Sequence, residues 1–133
     1  MKQNKFTKGK KPPNPSTTSS TSFKVIPTDT FISEAKKLQK KYIHIKDDFM
    51  ELQKQLKKDP TSGNDFLGKD CYKIRMPISD KNSGDRGGAR VIVEVKIIDK
   101  IVYVLSVYDK SDKSDLFDKE LDILIKKRIE KNG

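Results

Sequence analysis

The spacing of apolar residues changes at Cys71, and this change limits the folds that the chain can adopt. Before Cys71, two segments carry apolar residues at the spacing of an amphipathic helix: Phe31, Ala35, Leu38 and Tyr42 in the first, Phe49, Leu52 and Leu56 in the second. From Cys71 onward, apolar and charged residues alternate, which is typical of a strand with one buried face. The sequence therefore predicts an αα-hairpin followed by strands.

Three strands joined in a meander are predicted after this change: Cys71 to Met76, Ala89 to Ile98 and Ile101 to Tyr108. A short strand at 23–26 precedes the αα-hairpin, with Thr28 or Asp29 as the helix cap. A last helix carries Leu121, Leu124, Ile125 and Ile129 at helical spacing. The order β-α-α-β-β-β-α predicts an α+β fold, with an antiparallel sheet and the helices packed on one of its faces.

Alternation within the second meander strand predicts which side chains point toward the core. One set is apolar and is expected to point inward: Val91, Val93, Val95 and Ile97. The intervening residues Arg90, Glu94 and Lys96 are then expected to point outward. The third strand, 101–108, is almost wholly apolar, which favours a central position or cover on both faces.

The charge indicates a polyanionic partner. The chain of 133 residues has a net charge of +10, which favours nucleic acid or an anionic membrane surface. One cysteine and the lack of a long apolar run favour a reducing, cytoplasmic location without a membrane anchor. Residues 1–22 are rich in Lys, Ser, Thr and Pro, which predicts a disordered basic arm ahead of a single domain at 23–133. The arm is either a tail without a role or a non-specific RNA tether; a transit peptide is the less favoured interpretation.

Cations from separate segments are expected to meet on the outward sheet face. Lys73 and Arg75 come from one strand and Arg90 from the next. The loops add Lys81, Arg86, Lys110 and Lys113, Lys96 extends the set along its strand, and Tyr108 ends the third strand beside them. Clustered cations beside an aromatic ring suit a phosphate backbone with a stacked base. The alternative is an ordinary solvated strand face, since exposed lysines are common.

Other kinds of catalytic site find little support in the residue types present. One His (His44) and one Cys (Cys71) do not suffice for a metal site, so neither metal nor cofactor is expected. His44 is interpreted as structural or exposed, and Cys71 as a small buried hydrophobe. RNA can still be cleaved without metal, because its 2′-hydroxyl can attack the adjacent phosphorus while cations stabilise the developing charge.

Three motifs in this order resemble RelE/HigB-type toxins of bacterial toxin–antitoxin systems: Cys-Tyr-Lys-Ile-Arg at 71–75, Gly-Gly-Ala-Arg-Val-Ile at 87–92 and Val-Tyr-Asp-Lys-Ser at 107–111. The similarity extends over about residues 23–130. The resemblance implies a RelE-like fold and cleavage of messenger RNA in the ribosomal decoding site. It also implies inhibition by a cognate antitoxin, commonly of the helix-turn-helix type, with the toxin present as a monomer or in the toxin–antitoxin complex.

The resemblance also implies roles for individual residues. Lys73 and Arg75 match strand cations that orient RNA and assist proton transfer. Arg90 matches an arginine that stabilises the phosphorane, and Lys110 lies where many members carry an arginine near the leaving group. A catalytic tyrosine of some members has no counterpart: Phe117 lies near that position, Tyr108 is a possible substitute, and Lys73 becomes the first candidate for the general base.

Two other functions remain open at this point. A ParE-like branch of the same superfamily disables DNA gyrase by binding, without nuclease activity. A plain RNA-binding module would bind in a salt-sensitive manner and cleave nothing. The basic strand pair ahead of Arg90 favours the nuclease.

Overall fold

The computed structural model describes residues 22–81, 87–113 and 115–132. Its elements are β1 (Lys24–Pro27), α1 (Asp29–Lys41), α2 (Ile45–Lys58), β2 (Asp65–Gly68), β3 (Cys71–Met76), β4 (Ala89–Lys96), β5 (Ile101–Asp109) and α3 (Asp118–Asn132). The predicted α+β class, the αα-hairpin and the C-terminal helix are confirmed. Apart from Ser22, the predicted basic arm lies outside the described residues, and none of the described helices is long and apolar enough to cross a membrane.

The sheet has the strand order β1-β5-β4-β3-β2 and is mixed. β1 pairs with β5 in parallel, whereas the other neighbours are antiparallel. The prediction of an antiparallel sheet is therefore wrong at this edge. A tight turn forces antiparallel pairing on consecutive strands, but β1 and β5 are separated by most of the domain, so no turn sets their relative direction.

The sequence prediction also missed the edge strand β2. This strand is four residues long, and Phe66 on it is 63% exposed, so it has no alternation of buried and exposed residues to detect. It joins β3 through a turn in which Gly68, Lys69 and Asp70 have φ of 87°, 54° and 65°. Glycine adopts positive φ without steric cost, which explains its place at the start of this turn.

Helices cover both faces of the sheet, which corrects the expectation that they share one face. α1 and α2 pack over a core that includes Val91, Val93 and Val102. α3 packs on the opposite face through Leu121, which joins a second cluster with Ile92, Cys71, Tyr103, Leu105 and Tyr108. The apolar residues of that back face supply the partner that the α3 stripe requires.

Cover by α3 changes the environment of residues that were expected to point to solvent. Arg90 and Glu94 are 5% and 3% exposed, so the prediction of an open outward face is wrong. Ile97, predicted to point inward, is 54% exposed because β4 ends at Lys96 and Ile97 begins the turn. The central position predicted for the third strand is confirmed, since β5 lies between β1 and β4.

A β-bulge interrupts the ladder between β4 and β5. Val93 pairs with Val104, but the preceding Ile92 pairs with Ser106, so Leu105 is an extra residue on β5. A bulge of this kind changes which face the following side chains point to. Beyond it, Arg90 lies opposite Tyr108.

Close approach of the backbone explains the glycine just before β4. A Cβ atom on Gly88 would lie 2.2 Å from the carbonyl oxygen of Met76 and 2.9 Å from the Cα of Pro77. Real side chains do not tolerate such contacts, so only glycine fits this position. Without a side chain, Gly88 lets the chain before β4 lie directly against the end of β3, where the candidate site lies.

Candidate functional site

Three side chains form a row across adjacent strands at one end of the sheet. Arg75 on β3 lies opposite Arg90 on β4, and Arg90 lies opposite Tyr108 on β5. Directly opposite residues place their Cβ atoms about 5 Å apart on one face. This cross-strand row (Arg75, Arg90 and Tyr108) lies on the face that α3 also covers, and its members differ in exposure: the Arg75 side chain is 57% exposed, whereas Arg90 is 5% and Tyr108 9% exposed.

Lys73 lies on the same face, one alternation along β3 from Arg75. It sits opposite Ile92, and its Nζ is 3.4 Å from Oδ1 of Asp115, in the segment that leads into α3. The N–H of Leu116 and then the Lys73 charge hold the pKa of Asp115 below its usual value. The carboxylate of Asp115 thus forms an ion pair with Lys73 in this structure.

The turn after β5 brings two more cations beside the row. The Lys110 N–H donates to the carbonyl of Gly88 at 3.1 Å, and the exposed Lys110 side chain follows Asp109. Lys113 places its Nζ 5.5 Å from the centroid of the Tyr108 ring and donates to Glu120 at the start of α3. Hydrogen bonding from Lys113 is the main cause that lowers the pKa of Glu120.

Tyr108 is protonated near neutral pH. Its hydroxyl is buried and has no hydrogen-bond partner among the described residues. Burial, and next the charge of Asp115, raise the pKa of Tyr108, while the charge of Arg90 opposes them. A phenol in this state is suited to donating a proton rather than to removing one.

Lys81 and Lys96, predicted to bind RNA, are not brought to the cross-strand row. Lys81 donates to the buried carboxylate of Asp109 at 2.9 Å, on the face that α1 and α2 cover. Lys96 lies six residues from Arg90 along β4, about 20 Å away, and its Nζ is 3.1 Å from Asp70. Arg86, also predicted to bind RNA, lies outside the described residues.

Asp109 is a buried acid beside the site that sequence reasoning did not single out. Its side chain is fully buried and accepts hydrogen bonds from Tyr42 at 2.5 Å and from the Ser111 N–H at 2.9 Å, in addition to the Lys81 contact. Burial alone would raise its pKa, but these donors outweigh burial and lower the pKa of Asp109 below the ordinary range. The sequence did contain a signal for Asp109, because this acid directly follows the apolar run 101–108.

His44, Cys71 and Phe117 lie outside this arrangement of side chains. His44 is exposed in the bend between α1 and α2, where its Nδ1 lies 2.6 Å from Oδ1 of Asp80. Burial raises the pKa of Cys71 to about 12, so its thiol is unreactive at neutral pH. Phe117 is 73% exposed, and the described residues contain no group of acids, His and Cys arranged to hold a metal ion.

Comparison with protein families identifies the kind of protein. Residues 23–132 match the model of the RelE toxin of the RelE/RelB toxin–antitoxin system. The chain belongs to the RelE toxin family. This toxin of a toxin–antitoxin system thus carries the cross-strand row within the matched region.

Solved structures with a similar fold include a RelE toxin. A double arginine-to-alanine mutant of the E. coli toxin RelE in the free state has 19% sequence identity and a TM-score of 0.49. The match covers 70% of this chain and 88% of that one. No curated protein sequence matches this RelE-family toxin significantly.

Proposed function

We propose that this toxin is a metal-independent endoribonuclease that cleaves messenger RNA in the ribosomal decoding site. The observation that supports this most strongly is the cross-strand row, which pairs Arg75 with Arg90 and Arg90 with Tyr108. Lys73 lies on the same face of β3, and Lys110 follows β5 with its N–H bound to the Gly88 carbonyl just before β4. Together these side chains offer positive charge and a proton donor to one phosphate.

The proposed reaction begins when the 2′-oxygen attacks the adjacent phosphorus. The bond to the 5′-oxygen of the next nucleotide then breaks, which yields a 2′,3′-cyclic phosphate and a 5′-hydroxyl. Arg90 stabilises the charge on the phosphorane oxygens, and Arg75 orients the backbone. We assign the general base to Lys73, which takes the 2′-hydroxyl proton as the neutral amine, and the proton for the leaving oxygen to Tyr108 with Lys110 nearby.

Contacts in the free protein explain why the substrate must rearrange the site. Asp115 holds Lys73, and Glu120 holds Lys113. A phosphate has to replace these carboxylates, because both compete for the same ammonium groups. Arg90 is only 5% exposed, so a phosphate reaches it only after the residues that cover it move. We therefore expect free RNA to be cleaved slowly and the ribosome to favour the arrangement in which Arg90 is accessible.

We further propose that a cognate antitoxin, of helix-turn-helix type, binds and inhibits the toxin in the cytoplasm. The family match to a toxin–antitoxin system supports this partner.

The decisive experiment maps transcript ends after induced expression of the toxin, in parallel with a purified-component assay with and without ribosomes. Wild type should arrest growth and produce ends inside translated codons that carry 5′-hydroxyl groups. Arg90→Ala should lower the cleavage rate by about 100- to 1000-fold, the range for loss of one charge-stabilising donor. Lys58→Ala, which removes an exposed cation at the end of α2, is the matched control and should cleave normally.

Circular dichroism establishes that each variant is folded, and the exposed Arg75→Ala provides a second test if loss of the buried Arg90 prevents folding. Normal cleavage by a folded Arg90→Ala variant would refute its role. Intact messages together with a DNA-damage response would instead indicate inhibition of gyrase. RNA binding without cleavage, even with ribosomes, would indicate a binding module.

A further inference from the structure

The bulge at Leu105 decides which side chain lies beside Arg90. Below the bulge, Glu94 pairs with Tyr103 and Val93 with Val104. If that register continued, Val107 would lie opposite Arg90, and Tyr108 would point to the face covered by α1 and α2. The extra residue instead brings Tyr108 opposite Arg90.

The same shift removes a carboxylate from the cationic face. In the uninterrupted register, Asp109 would share the face of Arg90 and Arg75. A negative charge there would oppose binding of a phosphate. In the structure Asp109 points the other way, where Tyr42 and Lys81 hold its buried side chain.

Glu34 on α1 satisfies the backbone at the bulge. Its Oε1 accepts the Ser106 hydroxyl at 2.7 Å and the Val107 N–H at 3.2 Å. Ser106 and Val107 are 5% and 2% exposed, so water does not readily replace this acceptor. A buried N–H that a bulge releases from the ladder needs such a partner.

We propose that Glu34 is a positioning residue for the ribonuclease site, because it holds the bulge that places Tyr108 beside Arg90 and turns Asp109 away. This inference rests on the proposed function for its catalytic consequence. Its structural part, that the bulge depends on Glu34, does not depend on the proposed function. Glu34 touches neither the cross-strand row nor the substrate and acts through the β5 backbone.

The test compares Glu34→Ala with Glu34→Gln, since glutamine keeps an oxygen that can accept both hydrogen bonds. Glu51→Ala, which removes an exposed acid from α2, is the matched control. NMR measures the hydrogen exchange of the Val107 amide and the proximity of the Tyr108 ring to Arg90. Steady-state cleavage of ribosome-bound messenger RNA measures kcat and KM.

Glu34→Ala should increase exchange at Val107, weaken the contact between Tyr108 and Arg90, and lower kcat by about 100-fold, the scale for a misplaced catalytic group. KM should stay within about twofold, because the exposed Arg75 and Lys110 still bind the backbone. Glu34→Gln should restore the Val107 exchange, the contact between Tyr108 and Arg90, and kcat. Glu51→Ala should match wild type in all three. Exchange that rises at Val107 but not throughout the sheet distinguishes a local change at the bulge from a general loss of folding.

Two results would overturn the inference. Unchanged Val107 exchange and Tyr108 contacts in Glu34→Ala would show that the bulge does not depend on Glu34. Wild-type kcat in a variant with a disturbed bulge would show that its geometry does not serve cleavage. Absence of cleavage by wild type would refute the proposed function and the catalytic role of Glu34, while the NMR measurements would still decide the structural part.

Discussion

At the scale of single residues, Asp109 shows how a buried charge can stabilise the site end of the sheet. Burying a carboxylate is costly unless donors satisfy it, and here Tyr42, Lys81 and Ser111 all donate to it. Tyr42 lies at the end of α1, Lys81 in the 3₁₀ turn at Ser79–Lys81, and Ser111 in the turn after β5. One side chain therefore joins three segments at the end of the sheet where the candidate site lies, on the face opposite the cross-strand row.

We predict that Asp109→Asn lowers the free energy of unfolding at pH 7 by about 2 kcal/mol, the scale for hydrogen bonds to a buried charged group. Because the pKa of Asp109 is lowered in the folded state, its contribution is present above the unfolded pKa and is lost as pH falls toward the folded pKa. Urea denaturation should therefore show a smaller difference between variant and wild type at pH 3 than at pH 7. Asp112→Asn, at an exposed acid 3.9 Å from Lys41, should change stability little; a pH-independent defect in Asp109→Asn would contradict the assignment.

At the scale of elements, α3 is attached to the sheet by a buried ion pair as well as by its apolar stripe. Arg128 donates through Nε and Nη2 to the two oxygens of Glu94 at 2.8 and 2.9 Å. Its guanidinium also lies 4.4 Å from the centroid of the Tyr103 ring. Since β4 carries both Glu94 and Arg90, this contact sets how α3 lies over the face of the cross-strand row.

We predict that Arg128→Met alone lowers the free energy of unfolding by about 3 kcal/mol, because it removes both Arg128 hydrogen bonds from the buried Glu94 carboxylate and leaves only Lys96, at 3.8 Å, near it among the described cations. Combining it with Glu94→Leu should recover part of the loss, since two apolar residues can pack in place of the pair. Urea denaturation gives both values, and hydrogen exchange of the α3 amides locates the effect. A double variant less stable than Arg128→Met would show that the pair itself, rather than its satisfied burial, stabilises α3.

At the scale of the whole molecule, the net charge of +10 attracts RNA without distinguishing sequence or site. Only cations that reach the phosphates release counterions when RNA binds. Arg75 and Lys110 are exposed beside the site, whereas Arg90 is buried. Binding and catalysis are therefore expected to depend on different members of the cationic set.

We predict that Arg75→Ala and Lys110→Ala each reduce the slope of log affinity against log salt by about 0.7, the value for one phosphate contact with single-stranded RNA. Arg90→Ala should change this slope less, while it lowers the cleavage rate by about 100- to 1000-fold. Fluorescence anisotropy with an RNA that lacks the attacking 2′-hydroxyl measures the slope without cleavage. An equal change in slope for the distant Lys58→Ala would indicate diffuse attraction instead of contacts at the site.

Local periodicity alone determined the class of the fold and part of the site. Helical spacing before Cys71 and alternation after it predicted the αα-hairpin and the meander, because burial of one face imposes each element's own period on its sequence. Alternation also placed Lys73 and Arg75 on one face of β3. These inferences succeed because they depend on residues that are neighbours in the chain.

Only the tertiary structure decided what covers that face and which side chains complete it. α3 packs on the back of the sheet, β1 pairs with β5 in parallel, and one extra residue at Leu105 reverses the direction of Tyr108 and Asp109. The contacts responsible join residues far apart in sequence, such as Glu34 with Val107. Their free energies depend on packing and on the satisfaction of buried polar groups, neither of which leaves a periodic pattern in the chain.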